Sequence, residues 1–316
     1  MKGHPDRLVG VDVGGTKTHL ALVDARGARR DVARASSEWR NGHLFADDHN
    51  LVALASWIAA HADIGVGTSV VIGLRDCDTE DALELARDVV SRALGIPVRI
   101  ENDADLLAPA MGMERAIAMV VGTGSIVSAR DATGTRVTAD GHGWLLGDWG
   151  SGPGLVRDAL IRTLAAMDTG ADASDDPLIA ALLTHHGAHS AAELAASATV
   201  SASPDSWGSA AALVFEADRL GSALARDSIG FAAESLAGGV ASVVRRGGLG
   251  DHVVAAGGVI VNQPVLRREV RRRLNEFRRP LELRVLDVSP VEGALRLAAE
   301  ATPQARSRPS TSALRS

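Results

Sequence analysis

The sequence predicts an α/β protein built from two related lobes. Three observations support this prediction: the length of 316 residues, the alternation of strand and helix patterns, and a unit of strand, glycine turn and strand that occurs twice. At roughly 100–200 residues per domain, this length suggests two domains. Strands that alternate with helices are typical of a mostly parallel sheet.

The first strand, turn and strand lie within residues 8–27. An apolar run over 8–13 ends at Gly14-Gly15-Thr16, and a β-prone run follows over 18–23. Two such runs around a short turn predict a β-hairpin. The elements expected behind it are a helix over 50–62, a strand over 69–74, a helix from Asp78 or Thr79 to Leu94, and a strand over 96–100.

The pattern restarts at residue 116. A strand over 116–121, the turn Gly122-Thr123-Gly124-Ser125 and a strand over 126–129 repeat the opening hairpin. The elements expected after it are helices within 209–246, strands over 253–256 and 281–286, and a helix over 290–300. We therefore predict lobes at 1–113 and 114–289. We also expect the last helix to pack on the first lobe, and the tail over 301–316 to be disordered.

Composition excludes several classes of protein. The chain is 46% apolar and 23% charged, without the run of about 18 apolar residues that a membrane span needs. A net charge of −6 argues against dedicated nucleic-acid binding. The single cysteine, Cys77, excludes an internal disulfide, and the first residues lack a signal-peptide pattern. We expect a cytoplasmic protein.

The first glycine turn permits two interpretations. The run from Gly10 to Thr18 nearly matches a P-loop, but Thr16 intervenes before Lys17 and a strand follows instead of a helix. It is either a plain hairpin turn or a cradle of backbone N–H groups for phosphate, with Asp12 near a magnesium ion. The second turn, Gly122 to Ser125, and a third, Gly257-Gly258 before Asn262, favour a ligand at strand ends.

Two further segments carry candidate chemistry. Asp103 follows a strand, where it either acts as general base in phosphoryl transfer or caps a helix; spacing alone favours the cap. The segment from Gly141 to Gly152 holds five glycines, two tryptophans, a histidine and an aspartate. Such a loop either shapes a ligand site or is a long hairpin connection.

Together these motifs resemble the actin/hexokinase/Hsp70 superfamily, and within it the BadF/BadG/BcrA/BcrD-type family with its N-acetylglucosamine and glucosamine kinases. The matching segments are VGVDVGGTKT, IENDA, VVGTGS, AAGGVIVN and GHGWLLGDWGSG, the last resembling the family's GGWGxxLGDEGS hallmark. The resemblance implies two ribonuclease-H-like (actin-like) lobes with an ATP and sugar cleft between them. It also implies a sugar kinase that uses ATP and Mg²⁺.

The resemblance assigns roles to individual residues. Asp103 would be the catalytic base, and Asp12 would hold magnesium, through water. The residues assigned to ATP are Gly14, Gly15, Thr16, Lys17, Gly122, Thr123, Gly124, Ser125, Gly257, Gly258 and Asn262. Those assigned to the sugar are Asn102, Asp103, His142, Gly143, Asp148, Glu38, Trp39 and Asn41.

Two positions depart from the family pattern. Trp149 replaces the glutamate of the hallmark, and residues 36–42 do not match the usual sugar-contact segment. The resemblance implies phosphorylation of glucosamine or N-acetylglucosamine at the 6-hydroxyl. As a partner we expect a second copy of the chain, in a homodimer. One alternative is a catalytically impaired nucleotide or sugar sensor. Another is the family's activator ATPase, which needs two cysteines per chain for its iron–sulfur cluster, whereas this chain has only Cys77.

Overall fold

The computed structural model describes residues 6–40, 44–46 and 48–300. These residues form two compact units: the chain up to Asp103 together with the segment from Val291, and Ala104–Pro290. Each unit contains one five-stranded sheet. No helix within the described ranges is both long and apolar enough to cross a membrane.

The first sheet has the strand order β3-β2-β1-β4-β5. Antiparallel pairing joins β1, β2 and β3, whereas β1, β4 and β5 are parallel. The strands are β1 (Arg7–Val13), β2 (Lys17–Val23), β3 (Arg29–Ala35), β4 (Thr68–Leu74) and β5 (Arg99–Asn102). The helices of this part of the chain are α1 (Asp48–His61) and α2 (Glu80–Leu94).

Local sequence explains the ends of α2. The Thr79 side chain caps its first turn by accepting a hydrogen bond from the Ala82 N–H at 3.2 Å. Gly95 ends it in the left-handed region, at φ 71°. Pro97, which lacks an N–H, then delays β5 to Arg99, three residues after the start predicted from the sequence.

The second sheet repeats the arrangement of the first, with the order β10-β9-β6-β7-β8. Its strands are β6 (Ile117–Val121), β7 (Ser125–Arg130), β8 (Arg136–Asp140), β9 (His252–Ala256) and β10 (Glu282–Val285). The helices of this unit are α3 (Leu107–Ala110), α4 (Gly152–Asp168), α5 (Pro177–His186), α6 (Ala191–Val200), α7 (Pro204–Arg219), α8 (Ala223–Arg245), α9 (Gly258–Asn262) and α10 (Pro264–Asn275). The α/β class predicted from the sequence is confirmed.

Residues 104–113 differ from the predicted division of the chain. The sequence analysis assigned them to the first lobe, but they lie in the second unit. Their apolar side chains, Ala104, Leu107 and Ala110, share a buried cluster with Val254 on β9. This burial explains why the boundary falls at Asp103.

The last helix, α11 (Val291–Glu300), belongs to the first unit. Val291 and Leu295 share a buried cluster with Ala21 of β2. The backbone of β1 approaches the helix at Gly10, where an added Cβ would lie 2.9 Å from the Leu295 nitrogen. Glycine therefore permits this close contact. The predicted tail over 301–316 lies outside the described residues.

Candidate active site

Asp12 and Asp103 lie at the same edge of the first sheet. Parallel register places Val13 opposite Leu74, and Leu74 opposite Asn102. Asp12 precedes this row by one residue and Asp103 follows it by one. The structure therefore places both carboxylates at the carboxyl ends of parallel strands, where open α/β sheets bind ligands.

The two carboxylates interact electrostatically. Burial and the charge on Asp103 raise the pKa of Asp12 from 3.8 to about 7, while Lys17 opposes part of that shift. Two neighbouring carboxylates resist simultaneous ionisation unless a cation joins them. Asp103 itself begins a 3₁₀ turn over Asp103–Leu106, which leads into α3.

This pair fits a magnesium ion. Within the described ranges, no group of three or more His, Cys, Asp or Glu side chains could hold a metal. Magnesium in phosphoryl-transfer sites is typically bound by one or two carboxylates together with substrate phosphates. A site with Asp12 as the protein ligand matches this chemistry.

The first glycine turn is held from one side by the segment that follows β3. Ser36 donates its hydroxyl to the Gly14 carbonyl at 2.9 Å and its N–H to the Thr16 carbonyl at 2.9 Å. Arg40 donates to the Gly15 carbonyl at 3.2 Å. Because C=O and N–H point in opposite directions across a trans peptide, the N–H groups of Gly15 and Thr16 face away from this segment. They can thus serve an anion.

The second and third glycine turns are neighbours. Since β6 and β9 are parallel, with Val120 opposite Ala256, both turns follow adjacent strand ends. A Cβ added to Gly122 would lie 3.5 Å from the Gly258 nitrogen. Gly257 adopts φ 102°, and its added Cβ would meet the Val121 carbonyl oxygen at 2.4 Å. The structure therefore requires glycine at position 257.

The loop after β8, residues 141–151, is tied to the second glycine turn. Gly152 donates its N–H to the Gly122 carbonyl at 2.9 Å, and Ser125 donates its hydroxyl to the Trp149 carbonyl at 2.9 Å. Asp148 is buried and adopts φ 55°. His142 and Gly143 are exposed. The second unit thus holds together the turn assigned to phosphates and the loop assigned to the sugar.

Arg157 supports this loop from α4. Its guanidinium donates to the carbonyls of Trp144 and, at 2.9 Å, Gly147. Burial lowers the pKa of Arg157, and the charges of Asp140 and Asp148 oppose that shift. An arginine pKa starts so high that the side chain remains charged.

Several residues predicted to bind ligand have protein partners. Asn102 donates to the Cys77 carbonyl at 3.2 Å and to Asp78 at 2.9 Å. The Trp39 indole donates to the Thr18 hydroxyl at 3.0 Å. The Asn262 amide donates to the Gly258 carbonyl at 2.8 Å, within α9. These contacts shape the surrounding loops.

The remaining predicted positions lie on the first two glycine turns and on the segment that follows β3. Thr16 and Lys17 are exposed on the first turn, and Thr123 and Gly124 are partly exposed on the second. Burial lowers the pKa of Arg34, and the charge of Glu38, which is exposed, opposes that shift. Asn41 lies outside the described residues.

Four supporting residues escaped the sequence analysis: Ser36, Arg40, Asp140 and Arg157. Each contacts backbone eight or more residues away, beyond the span of a short motif. Asp140 offered one signal, because an aspartate directly before a glycine is typical of a turn. The other three follow only from the packing of the loops.

One curated relative is similar to about half of the chain. It is 30% identical over 178 residues to N-acetyl-D-glucosamine kinase of Dictyostelium discoideum; the match covers 51% of this chain and 55% of that protein. The chain thus spans about half the length of this curated relative.

Two solved structures resemble the fold. A candidate N-acetylglucosamine kinase from Chromobacterium violaceum has a TM-score of 0.66 at 26% identity, over 93% of this chain and 99% of its own. A ROK family glucokinase from Streptomyces griseus, in complex with glucose and AMPPNP, has a TM-score of 0.54 at 20% identity, over 95% of this chain and 100% of its own. They confirm the predicted actin-like fold with two lobes.

The family itself follows from a match along almost the whole chain. The family model for the BadF/BadG/BcrA/BcrD ATPases matches residues 9–298, which include all three glycine turns, Asp103 and the loop over 141–151. This chain belongs to the BadF/BadG/BcrA/BcrD ATPase family.

Proposed function

We propose that this protein is an ATP-dependent sugar kinase that phosphorylates glucosamine or N-acetylglucosamine at the 6-hydroxyl. The observation that carries the proposal is the pair of interacting carboxylates, Asp12 and Asp103, at the strand ends that also carry the first glycine turn. Similarity to N-acetylglucosamine kinases supports the choice of substrate class.

Asp103 is the proposed general base. As the sugar oxygen attacks the γ-phosphorus of ATP, the hydroxyl proton passes to the Asp103 carboxylate and the bond to the β-γ bridging oxygen breaks, which releases ADP. A positioned carboxylate suits this role in phosphoryl transfer. Alignment of the hydroxyl with the phosphoryl group then supplies much of the rate enhancement.

Asp12 is the proposed magnesium ligand, directly or through water. The bound cation would neutralise phosphate charge. With its pKa near 7, Asp12 changes protonation state close to neutral pH. The cation favours the ionised form, so metal binding and proton release are linked at this carboxylate.

The second unit supplies the other proposed contacts. The Thr123 N–H faces away from Gly152, because the Gly122 carbonyl of the same peptide accepts the Gly152 N–H. We propose that this side of the peptide faces the ATP phosphates, and that Gly257 and Gly258 border adenosine. Asp148 and His142, on the loop over 141–151, would contact the sugar.

Cys77 separates this proposal from the activator ATPase of the same family. The chain has one cysteine, and its side chain is fully buried in the core of the first unit. An iron–sulfur cluster needs several thiolates. A buried lone thiol in an apolar core does not provide such ligands, which favours the sugar kinase.

The test is ADP release over a panel of hexoses, hexosamines and N-acetylhexosamines. We expect turnover with one hexosamine class, and loss of the 6-hydroxyl in a 6-deoxy analogue should abolish it. ATP and sugar binding without ADP release would instead support a sensor.

The base is tested with Asp103→Asn, which should reduce turnover by about a thousandfold while ATP binding persists. The matched control is Asp63→Asn, whose carboxylate pairs with Arg7 on the surface of the same unit. The control should keep full activity. Turnover retained in Asp103→Asn would refute the assignment of the base.

A further inference from the structure

The carboxylate of Asp140, the last residue of β8, binds the backbone of the loop over 141–151. It accepts the N–H of Asp148 at 2.8 Å with one oxygen and the N–H of Trp149 at 2.8 Å with the other. The second oxygen also lies 3.3 Å from the Ser125 hydroxyl. One side chain therefore joins the second glycine turn to the proposed sugar residue.

The backbone at Asp140 is unusual in the same way as at Asp148. Both residues have positive φ values, 65° and 55°, which non-glycine residues rarely adopt. Aspartate tolerates this region better than most residues. Glycine adopts this region without strain, so what aspartate adds at position 140 is the carboxylate with its two N–H contacts.

Ser125 faces the loop and not the solvent. It is 3% exposed, and its hydroxyl contacts both the Trp149 carbonyl and the Asp140 carboxylate. The sequence analysis assigned Ser125 to ATP. Its buried side chain is better placed to link the turn to the loop, while the turn's backbone serves the phosphates.

We propose that Asp140 is a positioning residue that fixes Asp148 for the sugar and, through Ser125, couples sugar binding to nucleotide binding. The coupling rests on the proposed kinase function; the positioning of the loop does not. Each ligand would order one end of the same hydrogen-bonded chain, so the second ligand would meet a site that is already ordered.

The decisive variant is Asp140→Gly. Glycine keeps the left-handed backbone and removes both acceptor oxygens. Any effect of this variant is therefore due to loss of the carboxylate and not to backbone strain. Asp140→Glu is the conservative variant that keeps a carboxylate. The matched control is Asp131→Asn, at the other end of the β7–β8 hairpin. Asp131 also accepts two backbone N–H groups, those of Thr133 at 2.8 Å and Thr135 at 3.0 Å.

Hydrogen exchange of the ligand-free protein tests the positioning alone. In Asp140→Gly, the amides of Asp148 and Trp149 should exchange at least about tenfold faster, because each loses a charge-assisted acceptor. Asp131→Asn should leave these two amides unchanged. Equal exchange in Asp140→Gly and wild type would overturn the proposal, even if the protein proves not to be a kinase.

Kinetics and binding test the coupling. Asp140→Gly should raise the KM for the sugar about tenfold or more and leave kcat within about threefold, with partial recovery in Asp140→Glu. In wild type the sugar should tighten binding of a non-hydrolysable ATP analogue, and this effect should disappear in both Asp140→Gly and Ser125→Ala. Faster exchange with an unchanged KM and unchanged coupling would refute the role in binding.

Discussion

The guanidinium carbon of Arg157 lies 4.3 Å from the centroid of the Trp149 ring. On another side, Trp149 meets the Phe231 ring edge-on, with centroids 5.2 Å apart. The residue that replaces the hallmark glutamate is therefore an internal anchor of the loop. Its aromatic ring and the arginine give a cation–π contact, and the same arginine holds two loop carbonyls.

Arg157→Ala should destabilise the protein and disturb the sugar site. Two loop carbonyls lose their donor and Trp149 loses its stacked cation, so we expect the free energy of unfolding to fall by about 2–4 kcal/mol. The KM for the sugar should rise. Urea denaturation and steady-state kinetics measure the two effects.

The control for this variant is Arg162→Ala on the same helix. Arg162 pairs with Asp158 one turn away, a helical pair worth about 0.5 kcal/mol. Equal losses of stability in the two variants would show that the loop contacts of Arg157 contribute little.

The raised pKa of Asp12 predicts a pH-dependent stability. The unfolded chain releases this proton near pH 4, whereas the folded chain keeps it up to about pH 7. Between these values the folded state binds more protons, so this group lowers stability as pH rises from about 4 to 7. Asp12→Asn should therefore stabilise the metal-free protein by about 1–3 kcal/mol at pH 8, and by much less at pH 4.

The affinity for magnesium should depend on the same Asp12 proton, but it should increase with pH, whereas stability decreases. Because magnesium requires the ionised carboxylate, affinity for Mg²⁺-ATP should increase as pH rises through about 7 in wild type. In Asp12→Asn this increase should be absent. Calorimetric titrations at pH 6 and pH 8 measure it, and an equal pH dependence in both proteins would exclude Asp12 as the ligand.

Gly257→Ala should damage the third glycine turn. The added methyl would lie 2.4 Å from the Val121 carbonyl oxygen, and φ 102° is unfavourable for alanine. We expect a loss of several kcal/mol of stability, or about tenfold weaker binding of ATP if the turn shifts instead. Gly134→Ala is the comparison, since φ is also positive there but no atom lies within 4 Å of the added Cβ. It should show only the smaller backbone cost.

Gly10→Ala tests how the last helix packs on the first sheet. The added Cβ would lie 2.9 Å from the Leu295 nitrogen and 3.1 Å from the Ala294 Cβ, and backbone cannot move aside locally. We expect the free energy of unfolding to fall by about 2–3 kcal/mol, with faster amide exchange in α11. Unchanged exchange in α11 would contradict this packing.

Part of the fold could be predicted because its signals are local. The apolar strands β1, β4, β6 and β9 stand out as buried runs bounded by glycine or polar residues. The edge strand β3 was not predicted, since RRDVARA has three arginines and an aspartate among its seven residues and contains no apolar run. β3 forms because it pairs with β2, from Lys17 opposite Ala35 to Val23 opposite Arg29, although its composition does not favour a strand.

The features of the site also fall into two groups: those visible in the sequence and those that only the fold brings together. Glycine turns, a carboxylate after a strand and a glycine-rich loop are visible in the sequence, because each is a short segment with a restricted backbone. Other relationships connect residues that no short segment contains. Asp12 interacts with Asp103, and Gly122 lies close to Gly257. Asp140 and Arg157 both bind backbone groups of one loop. The sequence alone determined the two-lobed α/β class and indicated which residues are candidates for the site. Only tertiary structure decided which of them meet, because strand register and loop packing depend on contacts that no local pattern encodes.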